Sequence, residues 1–305
     1  MKPRRRSLAG ALLLLALAAV SRPAAAQAPA AGAGPADREL QLAAESGSVR
    51  ALLQLATQRA RAGDVRGAAA ALRRALAIAP NSEEVLAAYA HTSLAMRDYG
   101  QAALALGPLL RMHPTVAEYP YLLGVAWMQL GDMTSAVTAL QRAGELEPHR
   151  ALTLAALGLA WNEEKRFDLA KGALDEALLL SPGDPDVLAA LAEAEAGLGD
   201  ATAAEQHADQ ALARAPKNAN ALLVIGLLRM RQQRYAEARQ SLEGAVAVIP
   251  NSSRMQFQLS QACERLGDLP CAEQHRELYR KALREIEERL KALHLRSIGS
   301  EEAPP

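Results

Sequence analysis

Apolar and small residues recur along the chain with a helical spacing that itself repeats. Pro80, Pro114, Pro148, Pro182, Pro216 and Pro250 stand 34 residues apart. If each proline is position 32 of a unit, the units are 49–82, 83–116, 117–150, 151–184, 185–218, 219–252 and 253–286. Position 20 is alanine in all seven: Ala68, Ala102, Ala136, Ala170, Ala204, Ala238 and Ala272. Position 8 is small throughout, from Ala56 to Gly158, Gly226 and Ser260, and position 7 is large, from Leu55 and Tyr89 to Leu259. Positions 4, 7, 8 and 11 share one face of a first helix, and positions 20, 24, 27 and 28 share one face of a second. Small residues at 8 and 20 let the two helices approach. The proline at 32 lacks an N–H and ends the second helix. A single hairpin of this kind cannot bury its apolar face, whereas stacked hairpins bury a continuous core. The pattern predicts an all-α fold, an α-solenoid of about seven helix-turn-helix repeats with capping helices at both ends.

This pattern resembles the tetratricopeptide repeat family over residues 49–286, which implies that the α-solenoid is right-handed. The fourth unit matches best, through Leu154, Leu157, Gly158, Trp161, Phe167, Ala170, Leu174, Ala177 and Pro182. Some units depart from it. Pro108 falls inside a second helix and is expected to kink it. The seventh unit has Arg284 in place of the proline, so its second helix should run on to about His294. There Leu283, Ile286, Leu290 and Leu293 make an apolar stripe, read as a cap over the last repeat or, alternatively, as a short coiled-coil dimer seam. Residues 37–48 are expected to cap the other end, and 287–305 to hold the end of the last helix and a disordered tail.

The turns between paired helices alternate. Odd units carry Gly63-Asp64, Gly131-Asp132, Gly199-Asp200 and Gly267-Asp268, where glycine suits a left-handed helix end and aspartate caps the next helix. Even units lack the glycine and have Tyr99, Phe167 and Tyr235 at position 17.

The N-terminus reads as an address. Lys2, Arg4, Arg5 and Arg6 precede an uncharged apolar run from Leu8 to Val20, too short to span a bilayer, which takes roughly 20 residues. Ala24 and Ala26 give the small-x-small pattern of a signal peptidase site, so cleavage is expected between Ala26 and Gln27. Residues 1–26 are thus read as a signal peptide, and the Ala/Pro/Gly-rich residues 27–36 as a flexible linker. No later segment is apolar enough to cross a membrane.

Composition narrows the chemistry. Aromatic residues make up 3% of the chain and apolar residues 50%, which suits many small helix contacts and disfavours a sandwich or barrel. The 305 residues carry 34 basic and 34 acidic side chains. The signal segment holds five basic residues and no acidic one, so the mature chain has 29 basic against 34 acidic, a net charge near −5. That disfavours nucleic acid as a partner. The six histidines show no metal-ligand spacing. No Gly-x-Ser-x-Gly elbow or phosphate-binding glycine loop occurs, and the pairs Glu163-Glu164 and Glu193/Glu195 read as solvated surface. Neither catalysis nor a cofactor or metal is expected. Cys263 and Cys271 lie on opposite arms of the last hairpin, where a disulfide is plausible in an oxidising compartment.

In this family the first helices line a concave groove, so the resemblance implies that positions 2, 5, 9, 12 and 13 face a partner. These positions place Tyr121, Val125, Met128, Leu159, Asn162, Leu223, Leu227, Met230, Arg231 and Phe257 in the groove, with Arg50, Arg61, Glu84, His91, Glu163 and Arg265 beside them. The fifth unit offers Ala189, Glu193, Ala196 and Gly197 and looks nearly bare. The family's clamp for acidic peptide C-termini uses lysine and asparagine at positions 5 and 9. Here those positions read Leu53/Thr57, Ala87/His91, Tyr121/Val125 and Ala155/Leu159, so that clamp is missing. An apolar groove suits an amphipathic helix or extended apolar segment.

The expected function is a non-catalytic adaptor, a monomer or weak homo-oligomer, periplasmic or secreted from a bacterium, which binds a protein or peptide during assembly of an envelope or secretion complex. The alternatives are a polysaccharide-export-associated protein and a self-assembling structural subunit.

Overall fold

The computed structural model describes residues 45–301, with side chains described through Lys291. The signal segment, the cleavage site at Ala26–Gln27, the linker and most of the N-terminal cap lie outside the described residues. Among the described residues fourteen helices follow one another and no strand occurs.

The helices alternate as first and second members of hairpins. The first hairpin is α1 (Val49–Arg61) and α2 (Val65–Ile78), and the second is α3 (Glu83–Ala95) and α4 (Tyr99–Met112). Next come α5 (Glu118–Leu130) with α6 (Met133–Leu146), and α7 (Ala151–Glu163) with α8 (Phe167–Leu180). Then follow α9 (Pro185–Leu198) with α10 (Ala201–Arg214), and α11 (Ala219–Arg231) with α12 (Tyr235–Val248). The last pair is α13 (Ser253–Arg265) and α14 (Leu269–Glu301). All seven second helices therefore start at position 17 of the 34-residue unit.

The packing follows from the recurring positions. Ala68, Ala102, Ala136, Ala170, Ala204 and Ala238 are completely buried, as are Leu140, Leu174 and Leu242 four residues further on. Fully burying each such leucine contributes about 1.5–3 kcal/mol. The glycines at position 8 set the hairpin spacing: a Cβ on Gly158 would lie 2.3 Å from Leu174 Cγ, and one on Gly226 2.7 Å from Leu242 Cγ.

The turns inside the hairpins share one backbone geometry despite their different sequences. Gly63, Gly131, Gly199 and Gly267 adopt φ between 75° and 92°. Arg97, Lys165 and Gln233 take the same left-handed conformation at φ 59°, 60° and 62°. The odd–even alternation is therefore one of residue type and not of shape. Downstream, the Gly67, Ser135, Ala203 and Cys271 N–H groups donate to Asp64, Asp132, Asp200 and Asp268 at 2.8–3.1 Å. Asp98 caps α4 in the same way, whereas Arg166 and Arg234 offer α8 and α12 no side-chain cap.

Two local expectations concern second helices, and the later of them changes. Helix α4 runs uninterrupted through Pro108. The lost hydrogen bond to the Leu104 carbonyl is offset by burial of Ala105, Leu106 and Leu109 on the same turns. Helix α14 continues to Glu301, past His294, so residues 295–301 are helical where a tail was expected. Nothing ends α14 earlier, because Arg284 replaces the proline and the ladder from Arg276–Glu273 to Lys291–Glu287 supports its exposed side.

The chain divides into two compact units within α5, one up to Ala126 and one from Trp127. In the first, Leu52, Leu72, Val85, Leu106 and Leu109 centre one apolar cluster. In the second, three clusters form around Leu174 and Leu191, Leu188 and Val224, and Leu223 and Leu259.

Candidate functional site: the inner faces of the first helices

Consecutive first helices approach one another, α1 to α3 in the first unit and α7 to α9 to α11 to α13 in the second, while consecutive second helices make no comparable approach. A stack whose first helices crowd together and whose second helices splay bends toward the first helices. Their free faces therefore form the inner side of each unit.

In the first unit this face carries Arg50, Leu53, Thr57 and Arg61 from α1, and Glu84, Ala87 and His91 from α3. Tyr121 and Val125 of α5 are half-buried there, with Tyr121 packed on the unit's core. Burial lowers the His91 pKa from its ordinary value, against the opposing pull of Glu118.

The inner face of the second unit departs furthest from the sequence reading. Leu223 is 1% exposed and belongs to the core beneath α11. Asn162 is 3% exposed and spends its amide donor on the Ala190 carbonyl at 2.8 Å. Neither can touch a partner: helix crossing turns position 5 of the sixth repeat and position 12 of the fourth inward. Leu159, Leu227 and Met230 are half-buried and pack onto the core with one side, as Met128 is half-buried on α5. Phe257 is more open, at 37% exposure, and stacks on Tyr279 of α14 with ring centroids 5.2 Å apart.

The fifth repeat is not bare. Its small residues admit arginines from later repeats. Arg231 reaches back to donate to the Ala196 carbonyl at 2.6 Å. Arg254 places a guanidinium nitrogen 2.5 Å from Glu193 Oε1 and 3.3 Å from Glu163 Oε1, tying repeat seven to repeats four and five. Glu193 is accordingly buried, and burial raises its carboxyl pKa although Arg254 works the other way. Glu195, two residues on, points to the opposite side of α9, where His207 Nδ1 lies 2.7 Å and Lys171 Nζ 3.7 Å away. Reading Glu193 and Glu195 as solvated surface is thus corrected: each is buried against charged partners that come from other helices.

Cys263 and Cys271 are joined, with S–S 2.01 Å, across the last hairpin. Among the described residues no cluster of ligating side chains suited to a metal occurs, and no helix is long and apolar enough to cross a membrane. Sequence reasoning missed Arg254 as a functional-face residue. Its position 2 was the available signal, but the three-repeat reach of its side chain was not.

The geometry defines a helical-hairpin repeat protein with a continuous inner face in each unit. Family models described as tetratricopeptide repeat match residues 50–82, 88–151, 159–219 and 195–263, together 202 of the 305 residues. The chain belongs to the tetratricopeptide repeat family, whose fold is one of protein interaction. Among solved structures it is similar to the MamA protein, at 25% identity and TM-score 0.51 over 57% of this chain and 95% of that one. A tetratricopeptide repeat protein from Parabacteroides merdae shares the fold at 15% identity and TM-score 0.56, over 83% of this chain and 98% of that one. YrrB, described as a TPR protein with an unusual peptide-binding site, shares it at 19% identity and TM-score 0.51, over 60% and 95%. A comparison with curated protein sequences gives no match.

Proposed function

We propose that this chain is an exported, non-catalytic scaffold that holds a segment of a partner protein on the inner faces of its first helices, in the assembly of an envelope or secretion complex. The observation that carries the binding role is the inner face itself. Leu159, Leu227 and Met230 are only half-covered by their own core, so each keeps apolar surface for a partner. Arg231 and Arg254 frame that surface with fixed charge. Export is supported by the basic-then-apolar N-terminus ending at Ala24-Ala25-Ala26. The bonded cysteine pair suits an oxidising compartment.

The test is affinity capture from an envelope extract with residues 27–305, run beside a Leu159→Glu/Leu227→Glu variant whose helicity matches the parent by circular dichroism. A partner retained by the parent and lost by the folded variant is the expected result. A partner held equally by both moves the contact off this face. Capture of nothing by either removes the scaffold reading.

A further inference from the structure

Charge is distributed very unevenly along the repeats. The first repeat, 49–82, holds six arginines (Arg50, Arg59, Arg61, Arg66, Arg73, Arg74), no lysine and a single acid, Asp64. Residues 83–286 carry 19 basic and 26 acidic side chains. Elsewhere arginines are mostly matched, as in Arg229–Glu205, Arg239–Asp268 and Arg276–Glu264. Among the described residues no carboxylate lies within ion-pair distance of Arg50, Arg61, Arg66 or Arg73, and all four are exposed. Asp64 is already occupied by the Gly67 N–H as the cap of α2. An uncompensated guanidinium cluster on a chain otherwise net acidic raises the local concentration of anionic partners.

Two of these arginines line a cavity. On the inner side of α1, between the first and second repeats, lies a cavity of about 760 Å³ lined by Arg50, Leu53, Gln54, Thr57, Arg61 and Glu84, among others. Arg50 and Arg61 are eleven residues apart on one helix, about 16 Å along its axis. An extended peptide rises about 3.3 Å per residue and alternates its side chains between two faces, so carboxylates four residues apart point the same way and stand about 13 Å apart, a span that the two long arginine side chains reach. Leu53 lies between the two arginines and offers an apolar floor; Gln54 presents its amide to a peptide backbone, and Thr57, whose hydroxyl donates to the Leu53 carbonyl at 2.9 Å, presents an acceptor. No aromatic side chain lines the cavity for stacking a base. The amide and hydroxyl groups between the charges suit a peptide better than a flat lipid surface.

We infer that the first repeat is an acidic-segment dock, in which Arg50 and Arg61 take two carboxylates four residues apart on an extended partner segment whose middle apolar side chain, on the same face, rests on Leu53. The inference rests on the scaffold reading above and names the partner chemistry for the first unit's part of the inner face. Arginine suits the role because its planar fork binds a carboxylate bidentately. Glu84, on the opposite wall, opposes any third acid and leaves the cavity one net positive.

The test uses the full mature chain and a fluorescein-labelled peptide, Gly-Glu-Ser-Leu-Ser-Glu-Gly, read by anisotropy in 150 mM salt. Controls are the same peptide with both glutamates changed to glutamine, and one of equal composition with the glutamates two residues apart. Arg50→Gln and Arg61→Gln should each weaken binding about tenfold, the scale of one charge-assisted contact. Arg73→Gln, which removes the same charge outside the cavity, should change it less than threefold, and Glu84→Gln should tighten it. Equal losses for all three arginine variants would mean a diffuse field and overturn the dock. So would equal affinity for the two glutamate spacings, no peptide binding, or Arg50- and Arg61-dependent binding only to phosphatidylglycerol vesicles or to a single-stranded oligonucleotide. The two readings fail separately. Partner capture that depends on Leu159 and Leu227, without peptide binding, leaves the scaffold standing and removes only this site.

Discussion

Two glycines fourteen residues apart provide a sharp test of the packing argument. Gly158 and Gly172 lie in the two helices of the same hairpin, and both are helical. In an exposed helix interior glycine-to-alanine gains about 1 kcal/mol, because alanine loses less backbone entropy. At Gly172 an added Cβ meets nothing within 4 Å, so Gly172→Ala should stabilise by about that amount. At Gly158 the same methyl would lie 2.3, 2.6 and 2.9 Å from Leu174 Cγ, Cδ2 and Cδ1. Leu174 is fully buried, so relief requires α7 and α8 to separate by more than 1 Å or Leu174 to leave its rotamer. Overpacking of this kind costs about 1–3 kcal/mol, and the propensity gain offsets only part of it. Gly158→Ala should therefore destabilise by about 1–2 kcal/mol, opposite in sign to Gly172→Ala. Urea unfolding followed by the fluorescence of Trp161, one turn from Gly158, measures both. The double variant Gly158→Ala/Leu174→Ala should be less damaging than the sum of its single changes, since the new methyl occupies the vacated space. Stabilisation by Gly158→Ala, or additivity in the cycle, would refute the close-approach account of position 8.

Three further outcomes follow from other features. Lys165→Gly should raise stability by about 0.5–1 kcal/mol, because it removes a left-handed penalty of about 1–2 kcal/mol at the cost of glycine's extra chain entropy; Arg97→Gly and Gln233→Gly should behave alike, and thermal melts of the three check it. Thiol titration of the denatured, unreduced chain should find no free cysteine, and reduction should cost the last hairpin about 2–3 kcal/mol for a loop this short, read by urea unfolding with and without reductant. Glu193 has its pKa raised by burial, so its proton linkage favours the fold fully below its unfolded value near 4.5 and loses that contribution as pH rises through the folded value. Stability of Glu193→Gln relative to the parent should thus improve from pH 4 to pH 8; a pH-independent difference in denaturation midpoints would contradict this.

The repeat was legible because its physics is local and reiterated. The 34-residue proline spacing, the alanines at position 20 and the small residues at position 8 dictate hairpins, and the structure starts every second helix at the same position of the unit. Glycine signalled four of the seven left-handed turns, but Arg97, Lys165 and Gln233 adopt the same φ without any residue-type cue, because the helices on either side impose it.

The inner face was only partly legible, and the reason is reach. Sequence position identifies which face of its own helix a residue occupies. It does not say how far the face of a helix two or three repeats away has curved toward it. Asn162 and Leu223 hold groove positions by number yet are covered by the crossing of neighbouring helices. Arg254 meets Glu163 across 91 residues of sequence only because three repeats of stacked first helices bring their ends together. Local spacing and residue volume, which the amino-acid order carries by itself, decided the helices, hairpins and core of this protein. Which inner-face side chains are free, paired or buried was decided by the curvature accumulated over several repeats, a property of the tertiary stack that no single repeat encodes.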